Sequence, residues 1–388
     1  MIRAALLPLG VCLVCLPQPG AALERVYPGE TWERRTPAEA GFEPEALQAA
    51  MDYAAAVPEL TDLNCASVHR DGYLVAEVYA EGRGPEDTTT IFSTSKPVVA
   101  SLLGALQRDG ALDVGQRASD YISEWVGTES AEVTIDQLLR HDSGRFFFDW
   151  YLDAEYSQSM PSQTAYALVL AQSHPPGTTY AYNQMAFQSL ERVLTEAAGV
   201  SAPELTQREL WSPLQFESDT FWWAEGFEWP PGSGEPGPAT DPILYGGMTT
   251  SCRDLARFCH LWLARGAWAE GQRVFTDEFY EIGINPPDRG GSRYHWSGPP
   301  NHSAGGAFGQ FCSFNPENGV VLTRLGGTDG PGPFSAGVFT ELVMNALSAT
   351  EDRGSYNATA SKLELAARAA EEAALERKSA KAKGQAAQ

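Results

Sequence analysis

Two strand-like pairs stand near opposite ends of the body of this 388-residue chain, and most of the sequence between them reads as helix. Cys65-Ala-Ser-Val-His-Arg70 runs into Asp71-Gly72, a dipeptide that favours a tight hairpin turn, and Tyr73 to Tyr79 alternates behind it. Ala307 to Phe314 and Gly319 to Gly326 form the second pair, joined through Pro316-Glu-Asn-Gly319. A sheet must bury a face against another layer, so the economical solution is one antiparallel sheet built from both ends and flanked by helices. Candidate helices are Ile91–Gln107, with Val98, Val99, Leu102, Leu103 and Leu106 at helical spacing, then Arg253–Arg265 and Val338–Leu347. The expected fold is therefore α+β: an α/β sandwich within residues 23–356, plus a helical subdomain inserted at roughly 112–245.

Charge narrows the function. With 27 basic and 50 acidic side chains the net charge is −23, which argues against a nucleic-acid partner, because phosphate neutralisation needs clustered Lys and Arg. The distribution of lysine is more informative. There are five lysines, and four of them (Lys362, Lys378, Lys381 and Lys383) fall in the last 27 residues. Lys96 is alone in the preceding sequence, where arginine supplies every other strong cation. Arginine holds its proton, whereas a buried lysine can release one. Lys96 is therefore a candidate for proton chemistry.

The ends read as appendages. Arg3, the apolar run Ala4–Leu16 and Gly20-Ala21-Ala22 form a secretory leader (1–22), too short to span a bilayer. The mature protein is expected to be exported, periplasmic or secreted, with no membrane span. Residues 357–388 hold twelve alanines among mixed charges and are expected to be a solvated helix or a disordered tail. Four cysteines remain after the leader: Cys65, Cys252, Cys259 and Cys312. They allow three pairings, Cys252 with Cys259 being disfavoured on one helix, and buried free thiols are the expected state. No cysteine or histidine spacing suits a metal, and no cofactor motif is supported; Gly232-Ser-Gly-Glu-Pro-Gly237 fits a dinucleotide pattern but sits in a Pro-rich loop.

Ser93-Thr94-Ser95-Lys96 unites the isolated lysine with a hydroxyl three residues earlier, at the start of a helix. Backbone N–H groups at such a start have no intrahelical partner and suit an oxyanion. This stretch, Ile91-Phe-Ser-Thr-Ser-Lys-Pro97, resembles the nucleophile motif of the penicillin-recognising serine hydrolases, the superfamily of β-lactamases and penicillin-binding proteins. Leu138-Leu-Arg-His-Asp-Ser-Gly144, Pro176-Gly-Thr-Thr-Tyr-Ala-Tyr-Asn183 and Gly246-Gly-Met-Thr-Thr-Ser-Cys-Arg-Asp-Leu-Ala-Arg-Phe258 resemble further segments of that superfamily in its order.

The resemblance implies a role for each matching position. Ser93 is the nucleophile, Lys96 its partner and Tyr182 the general base or proton relay of the class C-like branch. Asn183 or Gln184 offers an amide to a substrate carbonyl. The usual Lys/His-x-Gly strand is degraded, with His302 as the candidate basic residue. Gly306-Ala-Phe-Gly-Gln310, with Arg324-Leu-Gly326, resembles the 6-aminohexanoate-dimer hydrolase and esterase branch, where the N–H matched by Ala307 joins that of Ser93 in the oxyanion hole. Trp222 and Trp223, with Phe146–Phe148, Trp150 and Tyr151, are candidate walls of an apolar cleft. The expected function is an exported serine hydrolase cleaving a small ester, amide or peptide-like substrate through an acyl-enzyme. A β-lactamase or D,D-peptidase is the alternative, and an inactive ligand-binding homologue a further one.

Overall fold

The computed structural model describes residues 25–55, 63–147, 162–223, 241–285, 293–326 and 334–348. The expected leader, the tail and most of the Trp222–Pro242 loop lie outside these residues, as do Phe148, Trp150 and Tyr151.

Five strands form the main sheet: β1 (Leu63–Arg70), β2 (Tyr73–Tyr79), and three that follow later in the chain. Numbered after the short strands β3 (Thr89–Thr90), β4 (Phe221–Trp222), β5 (Met248–Thr250), β6 (Ala267–Ala269) and β7 (Gln272–Arg273), those three are β8 (His302–Gly306), β9 (Gln310–Asn315) and β10 (Val320–Gly326). Their order is β2-β1-β10-β9-β8, and every adjacent pair runs antiparallel. The two sequence-distant pairs meet at β1 and β10, where Ser67 lies opposite Thr323. The first hairpin turns at Asp71 (φ 49°) and Gly72 (φ 89°), two left-handed residues in succession; that conformation matches the sheet's twist.

The sheet is covered on both faces, so β1 is buried along all eight residues rather than alternating. On one side Ala66, Val68, Phe311 and Leu322 pack with Leu47 and Met51 of helix α1 (Pro44–Ala55) and with Phe339 and Val343 of the Ala336–Asn345 helix. On the other side Cys65, Cys312, Phe314 and Val321 join a larger core that includes helix α2 (Lys96–Arg108) and the Cys252–Leu263 helix. Shorter helices of the inserted region (Ile135–Leu139, Gln163–Val169, Gln184–Gln188 and Leu190–Ala198) continue this core.

The expected free thiols are overturned. Disulfides join Cys65 to Cys252 and Cys259 to Cys312, with Cα separations of 6.1 and 6.6 Å. Two turns of helix separate Cys252 from Cys259, too far for a bond between them, but the helix lies across the sheet. Each thiol therefore meets a different strand, β1 or β9.

Candidate active site

Strand β3 leads into a tight 3₁₀ turn, Phe92–Ser95, before α2 starts at Lys96. The turn is tied down from both sides. Ile91 N donates to Met248 O (2.9 Å), and Met248 N donates to Ser95 Oγ (3.2 Å). Ser93 thus sits one turn ahead of the regular helix, and its hydroxyl does not serve as a helix cap. Pro97 costs nothing here, because first-turn N–H groups have no helical acceptor.

Two side chains converge on that hydroxyl. Tyr182 Oη donates to Ser93 Oγ at 2.8 Å, and Lys96 Nζ donates to it at 3.1 Å and to Tyr245 O at 2.6 Å. The ammonium also lies 4.8 Å from the centre of the Tyr182 ring. Lys96 is fully buried (0% exposed). Desolvation pulls its pKa down, against the opposing pull of Tyr182. Burial would raise the Tyr182 phenol, but the Lys96 charge, together with the hydrogen bonds Tyr182 shares with Lys96 and Ser93, holds it below the usual phenol range.

Tyr182 is positioned by the Leu138–Gly144 segment. Gly177 N donates to Asp142 O (2.8 Å), Ala181 N to His141 O (2.9 Å) and Asn183 N to His141 Nδ1 (3.2 Å). The His141 ring packs 4.5 Å from that of Tyr182. Burial, reinforced by the nearby Lys96 charge, keeps His141 neutral by holding its pKa well below the ordinary value. Tyr180, in contrast, is half exposed (50%) and does not reach Ser93.

The opposite wall is the end of β8. Gly306 packs so closely on the nucleophile turn that a Cβ would lie 2.3 Å from Ile91 O, so only glycine fits. Ala307 begins a second 3₁₀ turn, Ala307–Gly309. Neither its N–H nor that of Ser93 donates to another described residue. The residues flanking these two donors are strained: Phe92 has φ 48° and Phe308 φ 62°. A left-handed conformation costs an L-residue with a side chain roughly 1–2 kcal/mol. The Ala307 turn is held by Arg324 Nη1, which donates to Gly309 O (2.9 Å). Gln310 also fixes it by exchanging two hydrogen bonds with the Gly326 backbone (3.1 and 3.0 Å).

Two sequence candidates have other tasks. The Asn183 amide is spent on the fold: Oδ1 accepts from Ala186 N (2.8 Å) as a helix cap, and Nδ2 donates to Phe146 O (2.9 Å) and Arg145 O (3.3 Å). It has no hydrogen left for a substrate carbonyl in this arrangement. His302 lies four residues before Gly306, roughly 13 Å along an extended strand, with Nδ1 2.9 Å from Ser297 O and its ring on Phe314. It therefore does not replace the missing basic residue. Gln184 is buried at the start of the next helix, directly after Asn183. Trp223 borders β5 and β3, donating its backbone N–H to Gly247 O (2.6 Å) and its indole to Thr90 Oγ1 (3.2 Å). Tyr245, whose carbonyl receives Lys96, was not anticipated; its only sequence signal is its place just before the Gly246-Gly247 motif. Among the described residues no group of acidic, histidine or cysteine side chains could hold a metal.

A serine hydroxyl, a buried amine and a phenol at one point, beside two free N–H groups, are the equipment of a serine hydrolase. The comparisons agree: the beta-lactamase family model matches residues 66–341, and the chain belongs to that family. It is 24% identical over 291 residues to a 6-aminohexanoate-dimer hydrolase of Paenarthrobacter ureafaciens, spanning 71% of this chain and 68% of that one. Among solved structures it is similar to an octameric penicillin-binding protein homologue from Pyrococcus abyssi, with a TM-score of 0.59, 17% identity and coverage of 80% and 78%. It is also similar to a family VIII carboxylesterase, with a TM-score of 0.57, 17% identity and coverage of 78% and 97%. These likenesses establish the fold. Among the described residues no helix is long and apolar enough to cross a membrane.

Proposed function

We propose that this chain is an exported hydrolase that cleaves a small ester or amide through an acyl-enzyme on Ser93. The observation that carries the reading is the convergence of Tyr182 Oη and Lys96 Nζ on Ser93 Oγ, at 2.8 and 3.1 Å. In the reactive state Tyr182 is a phenolate stabilised by the Lys96 ammonium. It takes the Ser93 proton as Oγ attacks the carbonyl carbon. The tetrahedral oxyanion is held by the N–H groups of Ser93 and Ala307. The Tyr182 proton passes to the leaving alkoxide or amine, and the carbonyl reforms as the acyl-enzyme. Tyr182 then deprotonates a water that attacks the same carbon, and returns that proton to Ser93 as the acid departs.

The leader-like first 22 residues support export. The likeness to a 6-aminohexanoate-dimer hydrolase and a carboxylesterase supports amide or ester cleavage. A fluorophosphonate probe followed by mass-spectrometric site mapping tests the nucleophile, with Ser93 as the expected adduct. Modification elsewhere, or p-nitrophenyl ester turnover retained in Ser93→Ala, would refute the assignment. Rapid turnover of a β-lactam in the same substrate panel would instead favour a penicillin-handling enzyme.

A further inference from the structure

Left-handed backbone at an aromatic residue survives only where the surroundings enforce it, and both chain segments that carry the free N–H groups contain one such residue. Phe92 immediately precedes Ser93, and Phe308 immediately follows Ala307. Their rings meet across the gap in an edge-to-face arrangement, with centroids 5.2 Å apart and an interplanar angle of 63°. This is a favourable geometry for two aromatic rings. Each strained turn is also held from behind: the first by Gly306 against Ile91 O, the second by Arg324 and by Gly326, where a Cβ would lie 2.4 Å from Phe308 O. The ring pair links the two turns through their side chains. Phe92 is almost fully buried (6% exposed), while Ala307 is exposed at the mouth of the site.

We propose that Phe92 and Phe308 are positioning residues whose crossed rings lock two left-handed turns together, so that the N–H groups of Ser93 and Ala307 keep one fixed aim at the oxyanion. The inference rests on the serine hydrolase reading above. It predicts a separation of activity from stability, because glycine adopts a left-handed conformation without strain but cannot supply a ring. Phe308→Gly should keep or raise Tm, lower kcat on a p-nitrophenyl ester at least tenfold and leave KM within twofold. Phenylboronic acid, whose boron bonds to Ser93 Oγ and presents a tetrahedral anion to the same donors, should bind more weakly by a similar factor. Phe308→Tyr should restore both values. Phe308→Leu, which keeps bulk but loses the ring edge, should fall between and serves as the second folded variant. Unchanged kcat and boronate affinity in a folded Phe308→Gly protein would overturn the proposal. So would a loss of kcat that comes only with a lowered Tm and is not restored by Phe308→Tyr. If the wild type itself takes up neither fluorophosphonate nor boronate, the reading of the site fails and this inference falls with it.

Discussion

Replacing Lys96 by methionine should stabilise or spare the fold while disabling the chemistry. The two side chains are of similar length, and the position is fully buried, so methionine fits the space. Keeping an ammonium out of water costs several kcal/mol before compensation, and the substitution removes that cost. Against it stands the loss of the 2.6 Å hydrogen bond to Tyr245 O, a penalty of about 1–3 kcal/mol for a buried acceptor left without a donor. The net effect on Tm should be small or positive. Activity responds differently. Without the Lys96 charge and hydrogen bond, burial, the largest influence on Tyr182, is opposed only by the Ser93 hydrogen bond and pushes the phenol up instead of down. A phenol of pKa ~10 is only about 0.1% ionised at pH 7, and a higher pKa makes the fraction smaller still. The variant should lose roughly 10²–10⁴ in kcat at pH 7, the range for general-base catalysis. Its log kcat should climb by one per pH unit up to at least pH 10, whereas the wild type levels off at lower pH. Stopped assays on a p-nitrophenyl ester, corrected for spontaneous hydrolysis, with thermal melts alongside, measure both. A Lys96→Met enzyme with the wild-type pH profile would refute the role given to the ammonium.

Tyr182→Phe should lower kcat by about 10²–10⁴ without a large change in KM. Ala307→Pro replaces the N–H with a ring carbon, so the donor is lost and its place is filled, while Gly306 (φ −122°, ψ 164°) already has the extended backbone that precedes proline. The expected loss is about 10²–10³ in kcat with Tm little changed, and equal activity would remove Ala307 from the oxyanion hole. Acid should destabilise the fold early. His69 and His260 are buried neutral, with pKa values lowered to about 3. Their contribution is complete above the unfolded value near 6.5 and is lost as pH falls toward 3, at up to about 1.4 kcal/mol per pH unit for each. Glu77, lowered to about 2 by hydrogen bonds from Arg253, Tyr79 and Arg34 that outweigh its burial, extends the loss below pH 4. Denaturant melts from pH 7 to 3 should show that slope, flattened in His69→Gln. Reducing the disulfides should lower Tm, since the 187-residue separation of Cys65 and Cys252 implies about 5 kcal/mol of loop entropy in the unfolded chain.

The hairpins, the flanking helices and the motif-bearing turns were legible because each is a local pattern with its own stop signal. Asp71-Gly72 demanded the turn that it makes, and the apolar spacing of Val98, Leu102 and Leu106 demanded a helix. What escaped was decided by tertiary contact. Phe92 and Phe308 carry no sequence sign of left-handed backbone, a conformation usually marked by glycine or asparagine, because packing of distant segments imposes it. Asn183 looked available for substrate because nothing in a sequence tells whether an amide is already engaged. The cysteines were read as free since their partners depend on how one helix crosses a sheet. His302 has the right chemistry at the wrong point of β8, and one residue of alignment slip cannot be resolved without coordinates.

At its buried positions the preference of this chain for arginine over lysine has a physical explanation. Arg145 donates to Ser130 Oγ (2.7 Å) and to Ala167 O and Leu170 O (both 2.7 Å), covering the carbonyl end of the Gln163–Val169 helix. Arg257 reaches the carbonyls of Gly29 (2.7 Å) and Leu214 (3.2 Å) and the carboxylate of Glu217. Each site uses the planar fork of donors that an ammonium lacks. Burial lowers Arg145 and Arg324 only to about 10, so both keep their charge at neutral pH. A lysine under the same desolvation would start from ~10.4 and be driven toward neutrality. Structural cations inside this fold therefore have to be arginine. The one buried position where sensitivity of the charge to its surroundings is useful, beside a phenol that must gain and lose a proton, is the one that holds lysine.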